Sequence, residues 1–411
     1  MEKSRIDRFI TRKEALPLVT RESLDSLQLN KLNAVLKREK TRGGFYKNLP
    51  RHLDSLDELQ TLPFTTEEDL AQNAPGLLLC SQAEIQRVLS DATSGTTGAA
   101  KRVFYTEGDL AGTVELFMAG LGELIFPGSV TMICFPFSGP NGLGELIAQA
   151  VTKLGARPLK LGAGLSYGEY AAVMERERPD TFVGMPVQLL SLLRVCGRGS
   201  LKRALVSGDA CPGAVLRACE EILGSRLFPH YGSREMALGG AICCPAHEGM
   251  HLRENHVIAE IIDDAGHPLP RGEVGELVIT TIGMEAMPLI RYRTGDYTRI
   301  LPGPCPCGSE VLRLDTVTRR GGEKLAELDE LLFSLPFVAD YRAERRGGKL
   351  YLQILTCGGG ALPELDAVVQ ARSATAADRA LYPGKRTLPD DSAHDLSGRG
   401  EAAEHLSKNA N

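Results

Sequence analysis

The chain has 411 residues, of which 43% are hydrophobic and 24% charged, and its formal net charge at pH 7 is −5. These proportions are typical of a globular protein of two or three domains, and the negative net charge argues against a basic surface for nucleic acid. No apolar run is long enough to cross a bilayer, and no apolar segment follows Met1–Arg5 as a signal peptide requires. We therefore expect a cytoplasmic protein whose ten cysteines are reduced thiols or metal ligands.

The first 80 residues have a mostly helical pattern. Leu27–Leu36 places apolar residues at helix spacing, and Thr65-Thr66 before the acidic run Glu67–Leu70 predicts a helix start. From residue 108 to about 230 helix and strand patterns alternate, which predicts layered α/β structure. We predict a buried strand at Val130–Phe135 and further short strands at Arg157–Leu161, Asp180–Gly184 and Arg203–Ser207.

A glycine- and hydroxyl-rich stretch lies at Thr93–Lys101. Four hydroxyl residues and two glycines occupy its first six positions, and Lys101 ends the stretch with a cation. Strand-like patterns flank it at Arg87–Ser90 and Arg102–Thr106. Glycine lets a backbone approach a ligand closely, and hydroxyl and N–H donors suit a polyphosphate. The spacing is not that of a P-loop, and a flexible polar loop is the alternative for the stretch taken alone.

Further loops follow the predicted strands. Parallel α/β sheets bind ligands at the carboxyl ends of their strands. We therefore expect Phe135–Gly142, Gly184–Pro186, Ser207–Ala210 and Tyr231-Gly232 to line one cleft, although each alone is also compatible with an ordinary turn.

Two later stretches carry carboxylates. In Leu227–Glu235 the carboxylate of Glu235 suits Mg²⁺, which takes few protein oxygens and keeps phosphate and water as ligands. Gly272–Thr281 alternates like a strand, and Met287–Asp296 ends on an Asp in a predicted glycine turn. An ionised acceptor such as Asp296 matches a vicinal diol, and an exposed turn residue is the alternative.

A cysteine pair at Cys305 and Cys307 has the shape of a zinc knuckle. Cysteine and histidine also cluster upstream, where four residues are candidate ligands. These are Cys243, Cys244, His247 and His251.

Three ordered motifs, namely the glycine-rich stretch, Tyr231–Glu235 and the stretch ending at Asp296, support a family resemblance. Ser94–Gly98 with Lys101, together with Leu62–Leu70 and Tyr105–Leu110, resembles the AMP-forming acyl-adenylate synthetases, in the phenylacetate–CoA ligase-like branch. The resemblance covers roughly residues 20 to 355. It implies a large N-terminal domain of layered α/β sheets with a small β subdomain over residues 1–318. A small, shortened, mobile α+β domain is expected over 319–411, with a frayed tail from about residue 390.

The resemblance also implies roles for individual residues. Tyr231 would stack near adenine, Glu235 would hold Mg²⁺, and Asp296 would accept hydrogen bonds from both ribose hydroxyls. Arg234 stands where the family has a hydroxyl residue, so we expect it to contact a phosphate or carboxylate. Lys385 weakly resembles the adenylation lysine, with a surface lysine as the alternative. The other expected nucleotide contacts are Ser94, Gly95, Thr96, Thr97, Gly98, Lys101, Ser207, Gly208, Asp209, Gly232, Ser233 and Arg319.

The zinc ligands follow from the same resemblance. Some relatives carry a Cys, a His seven residues later and a downstream Cys-x-Cys-Gly, which Cys244, His251, Cys305 and Cys307 match. We expect one structural Zn²⁺ there, with Cys243 and His247 as rival ligands and unmetallated thiols as the alternative.

The implied activity is that of an acid–thiol ligase. ATP and a carboxylic acid, aryl or arylacetic by analogy, would give an acyl-adenylate and pyrophosphate, and coenzyme A would then take the acyl group. The alternatives are an adenylating enzyme with a carrier-protein or amine acceptor, and a degenerate non-catalytic nucleotide-binding member. No nucleic acid or membrane partner is implied, and a homodimer is left open.

Overall fold

The computed structural model describes residues 4–91, 101–319, 323–347, 349–379 and 381. The N-terminal part is helical as predicted, with α1 (Arg5–Glu14), α2 (Arg21–Arg42) and α3 (Glu67–Asn73). The predicted start of α3 is confirmed, because the Thr66 side chain accepts a hydrogen bond from the Asp69 amide and Asp69 bonds back. Within the described ranges no helix is both long and apolar enough to span a bilayer.

A hairpin leads to and from the glycine-rich loop. Strand β1 (Ile85–Asp91) pairs antiparallel with β2 (Lys101–Thr106), so the two predicted flanking strands are confirmed. Helix α4 (Glu107–Leu121) starts directly after β2, capped by Thr106 and Asp109.

Five parallel strands form the larger part of the main sheet. Their carboxyl ends lie at one edge, as the alternating pattern predicted. The strands are β3 (Val130–Ile133), β4 (Arg157–Lys160), β5 (Thr181–Gly184), β6 (Arg203–Val206) and β7 (Phe228–Tyr231). The connecting helices are α5 (Leu143–Lys153), α6 (Tyr167–Glu177), α7 (Pro186–Cys196) and α8 (Gly213–Leu223).

Short antiparallel strands extend this sheet beyond β7 and form a second sheet. The strands are β8 (Ala241–Cys243), β9 (Met250–Leu252), β10 (Val257–Ile262), β11 (Gly275–Thr281), β12 (Tyr292–Thr298), β13 (Arg313–Leu314) and β14 (Thr318–Arg319). The eight-stranded order is β13-β9-β8-β7-β6-β5-β3-β4, and the smaller sheet runs β10-β11-β12-β14. The expected large α/β domain with a small β subdomain is therefore confirmed.

The C-terminal region is a helix and a three-stranded sheet. It comprises α9 (Glu323–Phe333), β15 (Val338–Arg346), β16 (Lys349–Thr356) and β17 (Ala367–Ser373). Its apolar residues share a buried cluster with α7 and α8, and Ser191 of α7 donates a 2.7 Å hydrogen bond to the Ala339 carbonyl. The domain boundary between residues 318 and 319 stays a prediction, and the tail from residue 390 lies outside the described residues.

Candidate active site

A buried ion pair lies where β2 begins. The Lys101 ammonium is 2.6 Å from the Glu235 carboxylate and 3.3 Å from that of Glu67. Tyr292 donates a 3.3 Å hydrogen bond to Glu235, whose exposed fraction is 5%. Burial alone would raise the pKa of Glu235, but Lys101 lowers it overall, so the carboxylate is ionised.

A second contact joins the two sheets. The Tyr231 hydroxyl, at the end of β7, donates a 2.7 Å hydrogen bond to the Asp296 carboxylate. Asp296 lies within β12 rather than in the predicted turn, because Gly295, at φ +70°, is part of an irregularly paired strand. Its backbone pairs with that of Arg319 in β14. Tyr231, Asp296 and Arg319, predicted from separate stretches, are therefore neighbours.

The loop after β6 contains two positions of different character. Gly208 has φ +83°, and a Cβ there would lie 3.0 Å from the Phe135 ring, so glycine is required. Asp209 is exposed, and its carboxylate accepts a hydrogen bond from the Ala210 amide. Ser207 is half-buried, and its hydroxyl lies 2.8 Å from Nδ1 of His230.

The loop after β7 is closed by its own backbone. The Gly240 amide donates to the Tyr231 carbonyl at 3.0 Å, and the Leu238 amide donates to the Ser233 carbonyl at 2.8 Å. A Cβ at Gly232 would lie 2.3 Å from the Leu238 carbonyl oxygen, so a side chain would break this loop.

Arg234 occupies the turn between these contacts. The Tyr105 hydroxyl donates a 2.7 Å hydrogen bond to its carbonyl. Burial lowers the pKa of Arg87, and the nearby charge of Arg234 lowers it further, so two guanidinium groups face the same region. The expected residues that the described ranges omit are Ser94, Gly95, Thr96, Thr97, Gly98 and Lys385.

The four expected metal ligands lie together, away from these contacts. One ligand atom from each of Cys244, His251, Cys305 and Cys307 lies within 4.8 Å of the others. The sulfurs of Cys244 and Cys305 are 3.7 Å apart, and the Cys307 sulfur is 3.4 Å from Nε2 of His251. Because the other ring nitrogen of His251 faces the Val311 carbonyl at 3.3 Å, Nε2 is oriented toward the cluster.

The two rival ligands are engaged elsewhere. Nδ1 of His247 lies 2.9 Å from the Leu227 carbonyl, and its ring packs against Phe228 with centroids 4.5 Å apart. The Cys243 thiol donates to the Cys244 carbonyl. Among the described residues, these contacts therefore favour Cys244, His251, Cys305 and Cys307 as the metal ligands.

Three residues of the site were missed by the sequence reasoning. They are Glu67, Tyr292 and His230. Tyr292 and His230 lie beside expected residues in the motifs, but which face of the strand each occupies could not be read from spacing alone. Glu67 was assigned only as a helix-capping acid.

Residues 52–286 match the family model described as "AMP-binding enzyme". This match spans more than half of the chain, which therefore belongs to the AMP-binding enzyme family. Among its relatives is the phenylacetate-coenzyme A ligase of Thermus thermophilus, 29% identical, with 80% of this chain and 78% of the relative covered. The phenylacetate-coenzyme A ligase of Aromatoleum evansii is 30% identical, with 76% and 74% covered.

A solved structure shares the fold. A 2-hydroxyisobutyryl-CoA ligase in the postadenylation state has a TM-score of 0.73 and 18% sequence identity, with 89% of this chain and 90% of that chain covered. At this identity the likeness shows the architecture and nothing about the substrate.

Proposed function

We propose that the chain is an AMP-forming carboxylate–CoA ligase. A carboxylic acid and ATP give an acyl-adenylate and pyrophosphate, and coenzyme A then takes the acyl group and releases AMP. The family match and the two phenylacetate-coenzyme A ligases support this activity. The observation that carries it is that the Lys101–Glu235 ion pair and the Tyr231–Asp296 hydrogen bond lie near each other, since Tyr231 ends β7 and Glu235 is in the turn that follows it. Because ATP and CoA are cytoplasmic substrates, we place the reaction in the cytoplasm.

The nucleotide would bind between the two sheets. Asp296 is an ionised acceptor suited to the ribose hydroxyls, and Tyr231 offers its ring to adenine. The glycine-rich loop ending at Lys101 would contact the phosphates. The further proposed contacts are Ser94, Gly95, Thr96, Thr97, Gly98, Gly208, Asp209, Gly232, Ser233 and Arg319.

Glu235 fits a magnesium ion. Its carboxylate is buried and ionised, and oxygen donors of this kind are the ligands that Mg²⁺ accepts beside phosphate and water. Mg²⁺ would neutralise phosphate charge when bound. Glu235 would hold it, while the ammonium of Lys101 orients the carboxylate and remains close to the phosphates.

In the first half-reaction a carboxylate oxygen of the acid attacks the α-phosphorus. The new O–P bond forms as the bond to pyrophosphate breaks, and negative charge grows on the phosphoryl oxygens. Arg234 and Lys385 are the cations that we propose for this charge. In the second half-reaction the CoA thiolate attacks the acyl carbon, the thioester bond forms, and AMP leaves with the electron pair of the broken C–O bond.

The acid would lie between two loops. These are Phe135–Gly142, after β3, and Ala237–Gly240, after the Glu235 turn. An aryl or arylacetic acid is the proposed class, since the two relatives above are phenylacetate-coenzyme A ligases.

The distant Cys/His cluster fits zinc. Three sulfurs and one imidazole nitrogen within 4.8 Å form a donor set that Zn²⁺ accepts in closed structural sites. We propose that Cys244, His251, Cys305 and Cys307 hold one Zn²⁺ that ties β8 and β9 to the loop before β13.

Pyrophosphate release tests the proposal. We would assay ATP, Mg²⁺ and a panel of carboxylic acids, with and without CoA, on the wild type and on Lys385→Ala. Acid-dependent release that turns over only with CoA is the expected result, with a large loss in the variant. Release that continues without CoA but requires a carrier protein or amine would favour the alternative acceptors. ATP binding without release from any acid would favour a non-catalytic member.

A further inference from the structure

A serine–histidine pair lies beside the proposed nucleotide site. Ser207 follows β6 and His230 lies in β7, and Ser207 Oγ is 2.8 Å from Nδ1 of His230. His230 is buried, whereas Ser207 is half-buried at the carboxyl edge of the sheet. The pair therefore connects a buried imidazole to a half-buried hydroxyl at the carboxyl edge of the sheet.

The pair lies on a different face of the sheet from the nucleotide contacts. Successive residues of a strand point to opposite faces, so the side chains of His230 and Tyr231 diverge. The His230 ring packs against Phe117 of α4, with centroids 5.6 Å apart. The Ser207 hydroxyl bonds to the His230 ring, and therefore turns away from the Tyr231–Asp296 contact.

The neighbours of the pair are the two proposed walls of the acid pocket. Gly208, next to Ser207, approaches the Phe135 ring so closely that a Cβ would lie 3.0 Å from it. On the other side, a Cβ at Gly239 would lie 3.8 Å from Nε2 of His230. Small-molecule sites typically combine apolar walls with a few convergent polar groups, and Ser207 is a polar group placed between these two loops.

The chemistry of the pair leaves one hydrogen-bonding function on Ser207. Burial lowers the pKa of His230 to about 4, so the imidazole is neutral at physiological pH. If Nδ1 accepts a hydrogen bond from the serine O–H, Oγ remains an acceptor for a ligand. If instead Nδ1–H donates to Oγ, the serine O–H remains a donor for a ligand. A ligand hydroxyl satisfies either arrangement, because it both donates and accepts. Nε2 of His230 has no hydrogen-bond partner among the described residues, so the contact between Nδ1 and Ser207 is the hydrogen bond that orients the ring.

We propose that Ser207, oriented by His230, binds a hydroxyl substituent of the acid, so that the preferred substrates are hydroxylated aryl or arylacetic acids. This inference rests on the proposed ligase function. Ser207 is the residue that touches the substrate, and His230 is a positioning residue that holds the serine rotamer.

Matched acids that differ by one hydroxyl test this inference. We would compare phenylacetate with its 2-, 3- and 4-hydroxy derivatives, and benzoate with its hydroxy derivatives, by kcat/KM for CoA-dependent pyrophosphate release. The wild type should prefer at least one hydroxy acid over its parent by about tenfold or more, as expected for a buried hydrogen bond. Ser207→Ala should reduce that ratio to within about threefold.

Two further variants separate positioning from packing. His230→Leu should reduce the ratio as Ser207→Ala does, whereas His230→Gln, whose amide can still bond to Ser207, should restore part of it. The control is Ser225→Ala, which removes a hydroxyl bonded to the Lys202 carbonyl and should leave the ratio unchanged. Equal use of hydroxy and parent acids by the wild type, or an unchanged ratio in Ser207→Ala, would overturn the inference.

A calorimetric measurement of how tightly the same acids bind in the presence of AMP tests the serine contact independently of the ligase activity. If no acid supports pyrophosphate release, the proposed function fails. Tighter binding of a hydroxy acid to the wild type than to Ser207→Ala would still uphold the serine contact. Binding of no acid in the panel, or equal binding by both proteins, would overturn it.

Discussion

At the scale of single residues, the Lys101–Glu235 pair is the most buried pairing of charges in the candidate active site. The two groups lie 2.6 Å apart, with side-chain exposed fractions of 14% and 6%. A buried pair contributes little net stability, but removing one partner leaves an uncompensated charge. The pair therefore keeps a carboxylate ionised where burial alone would favour its neutral form.

Lys101→Met should lower the free energy of unfolding by about 3 kcal/mol, because Glu235 would then be buried without its cation. Urea unfolding at pH 7 measures this change. Lys101→Arg, which keeps a cation, is the control and should lose clearly less. Equal losses in the two variants would show that packing of the lysine stem, rather than charge, is responsible.

The same pair predicts a pH dependence. The pKa of Glu235 is lowered from 4.5, so its contribution is present above that value and is lost as pH falls through the lower folded pKa. The pKa of Lys101 is raised from 10.5, so its contribution is present below that value and is lost as pH rises through the folded pKa. The stability difference between wild type and Lys101→Met should shrink as the pH falls toward 4.5 and below, because burial raises the pKa of Glu235 in the variant and the carboxyl takes up a proton there. A difference that grows on acidification would contradict this assignment.

Asp296→Asn should raise the KM for ATP by about tenfold or more, because an amide replaces an ionised acceptor of two ribose hydroxyls. Steady-state kinetics with varied ATP and saturating acid measure the effect. Tyr231→Phe removes only the 2.7 Å hydrogen bond to Asp296 and serves as the matched comparison, with a smaller rise expected. A larger effect from Tyr231→Phe would mean that the tyrosine hydroxyl, rather than the carboxylate, contacts the nucleotide.

Much of this site could be predicted from residue types and order. Lys101, Tyr231, Glu235 and Asp296 occur in motifs whose chemistry suits ATP, and the structure brings them together in two pairs. The contact of Ser207 with His230 could not be predicted, because it depends on which face of β7 the His230 side chain occupies. Spacing along a strand gives alternation but not which face meets the ligand.

At the scale of elements, the parallel strands β3, β5 and β6 were predictable because they are largely buried apolar runs between turn residues. The short strands β8, β9 and β13 were not, since two or three residues have no measurable period. They carry His251 and flank Cys244, so the metal cluster depends on pairings that only the tertiary structure reveals.

Cys307→Ser should abolish zinc binding and lower the melting temperature, because the closed site loses one of four ligands. Metal content of the purified protein, with a wild-type ratio of one zinc per chain, measures binding directly. Cys243→Ser is the matched control, since that thiol bonds to the Cys244 carbonyl, and it should retain the metal. If Cys243→Ser lost the zinc and Cys307→Ser kept it, Cys243 rather than Cys307 would be the ligand, and the proposed set would be wrong.

At the scale of the whole molecule, the C-terminal region is part of the packing of the large domain. Residues 186–193 of α7 are buried on every side of the helix. A helix that packs against one sheet alone would keep one side exposed to solvent. The other side of α7 packs against α9 and β15, and Arg194 of α7 donates hydrogen bonds to the Phe333 and Val338 carbonyls. Glu330 of α9 also accepts a 2.9 Å hydrogen bond from the Ala214 amide in the first turn of α8.

Truncation after residue 319 should therefore destabilise the large domain, whereas truncation after Leu381 should not. The first removes the cover of α7 and exposes several leucines, each of which stabilises by about 1.5–3 kcal/mol when buried, so we expect a fall in melting temperature of about 5 °C or more. The second keeps the hydrogen bond from the Leu381 amide to Asp340 and should melt like the full chain.

The truncation after Leu381 also removes Lys385, so pyrophosphate release should fall by about a hundredfold without loss of fold. Full activity after the second truncation would exclude Lys385 from the reaction, and Arg234 would then be the remaining proposed cation.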